Sequence, residues 1–432
     1  MKDGTVGSRF TKLAAVALGG TLLWATPALA DPPAAEAAPP GAPPPAAEAP
    51  PPAPPPAAPP PVEAKPADAK PTATESMPAT RPDVLPPIDV GAWLRAGSKF
   101  QGATDPSKVN DWHMDQALIE LHAGGKVTKQ IAVTLNLTSN MQSLFNPPGG
   151  GMGEGGSYVA IEDAIIQFDF MDEFHLWGGH LLVPVDRSNA SGPFFMIPWN
   201  YPGFFTAQPS GAGIAAPLEG PSGRNNGAVV WGDVMGGKFS YFAGAFDNAN
   251  VASSPLFSGR LRLALWDAEP GFWGNGSYFG DKDMLSINVG GQFQKHGSAS
   301  MAGDKDWTDI NADILLEKKL GGGAFVTGEG AYYHYGVNDG GISDTFYILG
   351  AYASPTVGVG NIQPMVRYQW EKIKGPGGTK PWNIDVGLAY LIKGPAVRVI
   401  ATYSHTDLTS AFAAGTVTSA NSVQLGAQAI FF

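Results

Sequence analysis

Five arginines and a larger set of carboxylates recur at alternate positions of strand-like segments, and their chemistry is electrostatic. Arg95, Arg260, Arg262, Arg367 and Arg398 fall on the polar phase of their segments. Glu120, Asp163, Asp169, Asp313, Glu317, Glu329, Glu371 and Asp385 fall on the same phase of theirs. Fixed charges lining a shared aqueous space attract or repel ions, and rings of them set selectivity. Residues 88–432 hold 21 Lys and Arg against 30 Asp and Glu. An acidic interior, weakly cation-preferring or unselective, is therefore expected. Each arginine could instead pair across a wall as packing. Arg260 and Arg262 stand two apart on one face, so their mutual repulsion argues for more than packing there.

Bond-making chemistry leaves no comparable trace. A nucleophile needs a base within hydrogen-bond reach, and no G-x-S-x-G is present. The seven histidines are scattered without zinc-protease spacing. His175 and His180 lie five apart on a strand and face opposite sides. Two Gly-Asp-Lys-Asp tetrads, at 280–283 and 303–306, offer oxygen ligands of the kind calcium takes. Surface turns carry such charges routinely. The expectation is a chain with no catalytic residues, no metal, no cofactor and no enzymatic activity. A net charge of −11 also argues against nucleic acid as a partner.

The elements that position these charges are long strands. From Ile88 onward there are about sixteen segments of roughly ten to fourteen residues, against about five or six in ordinary soluble strands. Val127–Thr138 alternates Val127, Ile131, Val133, Leu135 and Leu137 with Thr and Asn. Leu285–Gln294 and Asn361–Glu371 repeat the pattern. Short connections at 124–125, 171–172, 236–237, 321–323, 354–358 and 393–395 interleave with long ones. Two break the rhythm: 268–283 is long among the short set, and 337–341 is short among the long set. A bilayer-crossing strand needs roughly nine to eleven residues. Even strand number with connections short at one end and long at the other predicts a transmembrane antiparallel up-and-down β-barrel, an all-β fold of about 16 strands, over 88–432.

The N-terminus differs. Lys2, Arg9 and Lys12 precede the apolar Leu13–Trp24 and an Ala28-Leu29-Ala30 site, so 1–30 reads as a signal peptide. Residues 31–87 carry 22 of the 40 prolines, mostly among alanines. That composition predicts a disordered, extended periplasmic linker, on the order of 170 Å if fully extended at ~3.1 Å per residue. It could act as a spacer or reach the cell wall. Zero cysteines fit a barrel closed edge to edge by hydrogen bonds.

One connection, 184–225, holds Phe194, Phe195, Met196, Ile197, Trp199, Tyr201, Phe204 and Phe205 among Gly and Pro. So apolar a segment is unsuited to bulk water. It is expected to fold inward and constrict the lumen, with a clamp on a neighbouring subunit or a self-packed cap as alternatives. The final strand has two phases, one ending on Phe432 with Ile430 and Gln428, the other on Phe431 with Leu425 and Val423.

Several segments carry a resemblance: Val183-Pro184-Val185-Asp186, FSYFAGAFDN at 239–248 followed by Ser258-Gly259-Arg260-Leu261, YFGDKDML from Tyr278, IQPMVRY at 362–368 and the closing QLGAQAIFF. Together they resemble the phosphate-selective porin O/P family of sixteen-stranded outer-membrane channels, across roughly 90–432. The resemblance implies a trimeric, water-filled channel in outer-membrane lipid, passing ions and small hydrophilic solutes, with 184–225 as its inward-folded loop. Anion-selective members line the lumen with arginine and lysine ladders, and no lysine-rich ring is visible here. The rival readings are a plugged structural barrel tethering envelope layers through the Pro/Ala arm, and a soluble secreted β-protein.

Overall fold

The computed structural model describes residues 88–101, 111–140, 158–202, 223–247, 254–298, 305–336, 342–373, 380–407 and 419–431. The leader, the Pro/Ala segment, Phe204, Phe205, Phe432 and most of the long connections lie outside the described residues. The first eight strands are β1 Asp89–Gln101, β2 Asp111–Lys126, β3 Ile131–Asn140, β4 Tyr158–Met171, β5 Phe174–Leu182, β6 Arg224–Val234, β7 Phe239–Phe246 and β8 Leu256–Ala264. The second eight are β9 Met284–Ser298, β10 Lys305–Gly321, β11 Ala324–Tyr335, β12 Ile342–Ala353, β13 Asn361–Ile373, β14 Trp382–Lys393, β15 Val397–Asp407 and β16 Ser419–Phe431. Each pairs antiparallel with its sequence neighbours, and β1 pairs with β16, so the sheet closes on itself. Closure matters because lipid offers no hydrogen bonds to an open edge.

The alternation in β9 and β13 decides which face is which. Ile287, Val289 and Phe293 are 40–48% exposed on the outside, whereas Ser286, Asn288, Gln292 and Gln294 are at most 4% exposed inside. In β13, Ile362 and Val366 face out and Gln363, Arg367, Gln369 and Glu371 face in. A soluble barrel would bury the apolar set. The closing strand resolves to the Phe431 phase: Phe431, Leu425 and Val423 are exposed outward, and Ile430, Gln428 and Gln424 are buried inward.

Boundaries at the short-connection end shift from expectation. Gly124 and Gly125 lie inside β2, and the turn falls at 127–130. The Thr128 hydroxyl accepts from the main-chain N of Gln130 and Ile131 at 3.2 and 3.0 Å. This local bond competes with strand extension, so β3 starts at Ile131 rather than Val127. The β10–β11 turn uses Gly321, Gly322 and Gly323, all at positive φ, where a Cβ would be strained.

The largest departure from an empty tube is inside. The connection after β5 turns into the barrel rather than outward. The connection between β8 and β9, residues 265–283, enters from the opposite end. The main-chain N of Gly274 donates to Ala190 O at 3.3 Å, and that of Ser277 to Phe195 O at 3.1 Å, so the two segments meet in the interior.

Candidate functional site

The first inserted segment is laid down piece by piece. Its start, Val183–Val185, runs along the inner wall. Ser258 Oγ donates to Pro184 O at 2.7 Å, and Gly290 lacks the Cβ that would meet Val185 O at 2.0 Å. Asp186 then caps the short helix α1, Arg187–Ser191, accepting from Asn189 N at 2.7 Å. All five residues of α1 are buried, and Gly192 ends it at φ 60°. The chain crosses to the far wall as Phe194–Asn200. There the Trp199 ring lies flat on two glycines, Gly97 and Gly426, that face each other across the β1–β16 seam. A Cβ at Gly426 would stand 2.6 Å from that ring.

The second segment is anchored by an aromatic cluster and a carboxylate. Phe272 packs among Trp177, Trp231 and Phe242 on the inner wall, with centroids 4.9–5.9 Å away. Glu317 accepts from Ser277 Oγ at 2.7 Å, from Tyr278 N at 3.1 Å and from Gly280 N at 2.7 Å. These bonds hold the turn at Phe279, whose φ of 52° is positive for a bulky residue.

All five arginines expected in the interior donate to main-chain oxygens of these two segments. Arg95 reaches Trp199 O at 2.5 Å and its guanidinium stacks 3.9 Å from the Trp199 ring. Arg398 reaches Ile197 O at 3.1 Å and Arg367 reaches Asn200 O at 2.8 Å. Arg260 bonds Asp186 O and Phe272 O, both at 3.0 Å. Arg262 bonds Gly271 O at 2.7 Å and Trp273 O at 3.3 Å. An irregular segment withdrawn from water carries carbonyls that need donors, and guanidinium supplies several in one group. The Arg260/Arg262 pair thus packs against the inserts despite its mutual repulsion. Arg262 is offset by Asp233 at 3.6 Å and Glu269 at 3.8 Å.

The expected carboxylates are dispersed. Glu120 stands 3.4 Å from His122. Asp163 receives Asn136 at 2.7 Å and Arg224 at 3.3 Å. Asp169 accepts from the Trp177 ring N at 3.0 Å and contacts His175 at 2.7 Å. Asp313 receives Arg187 Nε at 3.1 Å, Glu329 receives the Tyr347 hydroxyl at 2.7 Å, and Asp385 pairs with Arg367 at 2.8 Å. Glu371 is buried on the inner face of β13. Phe194 and Trp199 are buried in the interior, Phe195 and Tyr201 half-buried. The tetrad at 280–283 is engaged otherwise: Asp283 pairs with Lys318 at 2.5 Å. Among the described residues no group of three or more His, Cys, Asp or Glu is placed to hold a metal ion.

Sequence reading missed Arg187 and Glu269, the pair that joins the two insertions, and Arg224 with Glu162 at 3.2 Å. The available signal was the anomalous length of 268–283, with Phe272 and Trp273 in a connection that should have been a turn.

A closed sixteen-stranded barrel, apolar outside and polar inside, with a chain segment folded into its lumen, is the architecture of outer-membrane porins. Solved structures share the fold. OprB of Pseudomonas putida aligns with a TM-score of 0.54 at 10% identity, covering 80% of this chain and 94% of that one. OmpF of Salmonella typhi, solved with daunomycin, gives 0.51 at 12%, covering 80% and 98%. A loop-deletion mutant of OmpT, an outer membrane protein of Vibrio cholerae, gives 0.50 at 15%, covering 80% and 99%. No family model and no curated protein matches the sequence. At these identities the likeness is one of fold.

Proposed function

We propose that this chain is an outer-membrane porin, a passive channel for ions and small hydrophilic solutes. The observation that carries the reading is the closed barrel's polarity. Its exposed outer belt suits hydrocarbon, and its inner face concentrates Arg, Asp, Glu, Asn and Gln. In this reading Arg95, Glu120, Asp163, Asp169, Arg260, Arg262, Asp313, Glu329, Arg367, Glu371 and Arg398 are the charges a solute passes, and Phe194, Phe195, Trp199, Tyr201, Phe204 and Phe205 form the constriction. The leader at 1–30 exports the chain, the Pro/Ala arm at 31–87 extends towards the cell wall, and three copies assemble. Membership of the phosphate-selective O/P family is the finer proposal. Since all five arginines are tied to carbonyls of the inserts, their presence alone does not make a phosphate ladder.

A specific observation favours a second reading. Arg95, Asn288, Glu317, Gln363, Glu371 and Arg398 face inward yet are at most 1% exposed, so at these positions protein rather than water covers the inner wall. That suits a plugged structural barrel, or a porin whose conformation here is closed. Single-channel recording of the full mature chain in a planar bilayer separates them. Stepwise currents support the porin. Folded, inserted protein that never conducts, even after the inserts are released by substitution, supports the structural barrel.

A further inference from the structure

Where the first insert meets β9, β10 and β11, buried oxygen atoms gather unpaired. Asp186 Oδ2, Asp309 Oδ1, Asn311 Oδ1 and the Tyr333 hydroxyl have no hydrogen-bond partner among the described residues. All four residues are at most 3% exposed. They belong to one neighbourhood. Asn311 pairs across the sheet with both Gly290 and Tyr333, and Asp309 precedes it on the same inner face. A Cβ at Gly290 would stand 2.0 Å from Val185 O and 2.9 Å from Asn311 Oδ1, so those two oxygens converge over the bare glycine. Asp186 follows Val185 directly, within electrostatic reach of Asp309 and Tyr333. The Asn311 amide nitrogen donates to Asp309 Oδ2 at 2.8 Å, which leaves its own oxygen and Asp309 Oδ1 available.

The supply of positive charge is short here. Arg260, whose charge reaches Asp186, bonds the main-chain oxygens of Asp186 and Phe272 through its two Nη atoms, and its Nε has no partner among the described residues. Arg187 is committed to Glu269 and Asp313. Burying a charge without a partner is costly. Water would ease it poorly, because a water molecule donates two protons and this cluster consists almost wholly of acceptors. A hard divalent cation satisfies several oxygens at once and cancels two carboxylates. Calcium takes six to eight oxygen ligands from carboxylates, amides and main-chain carbonyls, and the absence of nitrogen or sulfur ligands disfavours transition metals.

We propose that Asp186, Asp309, Asn311 and the Val185 carbonyl bind one calcium ion, which rivets the start of the inserted segment to the β9–β10 wall. The site differs from the Gly-Asp-Lys-Asp tetrads and stands whether or not the barrel conducts.

The test uses the full mature chain refolded in detergent, free of lipopolysaccharide. Metal content is measured after dialysis against trace calcium, with and without prior EDTA. Terbium is then added to EDTA-treated protein, and emission is followed on excitation of the tyrosines, since Tyr333 lies beside the site. About one calcium per chain, and sensitised terbium emission displaced by added calcium, are expected. Asp309→Asn should lose most of both, and Asn311→Ser takes its place with the same expectation if that variant does not fold. Metal at the detergent-blank level with no sensitised emission would overturn the proposal. So would unchanged metal and emission in either folded variant, which would put the ion elsewhere.

Discussion

Arg187 and Glu269 grip each other from opposite insertions. Arg187 Nη1 meets Glu269 Oε1 at 2.6 Å and Nη2 meets Oε2 at 2.9 Å, with both side chains 1% exposed. One residue belongs to the segment descending after β5, the other to the segment rising between β8 and β9. Arg187 also bonds Ser286 Oγ at 2.7 Å and Asp313 at 3.1 Å on the wall. A two-pronged guanidinium–carboxylate contact fixes orientation as well as distance. The latch therefore sets how far the two inserts stand apart.

Removing one partner should open the latch. Arg187→Ala leaves Asp313 buried without its cation and Glu269 with only Arg262, at 3.8 Å, a loss of about 3–5 kcal/mol for a broken buried pair. Larger or more frequent current steps than wild type, with a lower unfolding midpoint in detergent, are expected in bilayer recording and urea titration. The double variant Arg187→Ala/Glu269→Ala should recover part of the stability while staying open. A single variant with wild-type current and stability would show that the pair holds nothing.

Acid should loosen the same contact. Burial alone would raise the Glu269 carboxyl, but the facing Arg187 guanidinium, with Arg262 and the Ser286 hydroxyl, outweighs it and holds the group well below its ordinary value of 4.5. A depressed carboxyl contributes stability that is fully present above the unfolded value and drains away as pH falls below it. The Glu269 contribution to conductance and thermal midpoint should thus be intact from neutrality to about pH 5 and be lost only in stronger acid. Glu269→Gln should remove that acid-dependent component.

Gly426→Ala tests how the first insert seats. The new Cβ would stand 2.6 Å from the Trp199 ring, whereas at outward-facing Gly350 nothing lies within 4 Å. Overpacking of this kind costs about 1–3 kcal/mol. Gly426→Ala should lower the unfolding midpoint and quench or shift Trp fluorescence, with Gly350→Ala as the neutral control. Equal behaviour of the two variants would contradict the close seating.

Val289→Arg tests the lipid belt. Val289 is exposed on the outer face near the middle of β9. A charge at bilayer mid-depth costs about 2–4 kcal/mol. The loss should appear for protein folded into vesicles, read by urea titration. A variant as stable as wild type there would argue that this face does not meet hydrocarbon.

Selectivity follows from the charge surplus. With 30 acidic against 21 basic residues in 88–432, reversal under a KCl gradient should fall weakly on the cation side, without block by phosphate. Strong anion preference or phosphate block would mean that the arginines outweigh the carboxylates despite their bonds to the inserts.

What could be read from sequence was whatever repeats with period two. The phases of β9 and β13, and the inward direction of Arg95, Arg260, Arg262, Arg367 and Arg398, follow because lipid and interior impose opposite chemistry on alternate residues. The turn at 127–130 was hidden because Thr128 decides it through a local side-chain bond that leaves the apolar alternation intact. Arg187 and Glu269 were hidden for another reason. They are 82 residues apart, Arg187 opening a five-residue helix and Glu269 in an irregular connection, both too short for a period to say which way a side chain points. The carbonyl partners of the arginines were hidden with them, since carbonyls of a neighbouring segment have no signature in the sequence.

The seat of Trp199 also bears on how the barrel comes to be closed. Gly97 and Gly426 are paired across the one junction that joins the two ends of the sheet, the contact with the greatest separation along the chain and hence the slowest to find. The indole lies over both. A slip of one residue in either strand would put a side chain under the ring, because neighbouring residues alternate faces. The mid-chain tryptophan thus works as a gauge for assembly, admitting the two terminal strands together in one alignment and resisting the others.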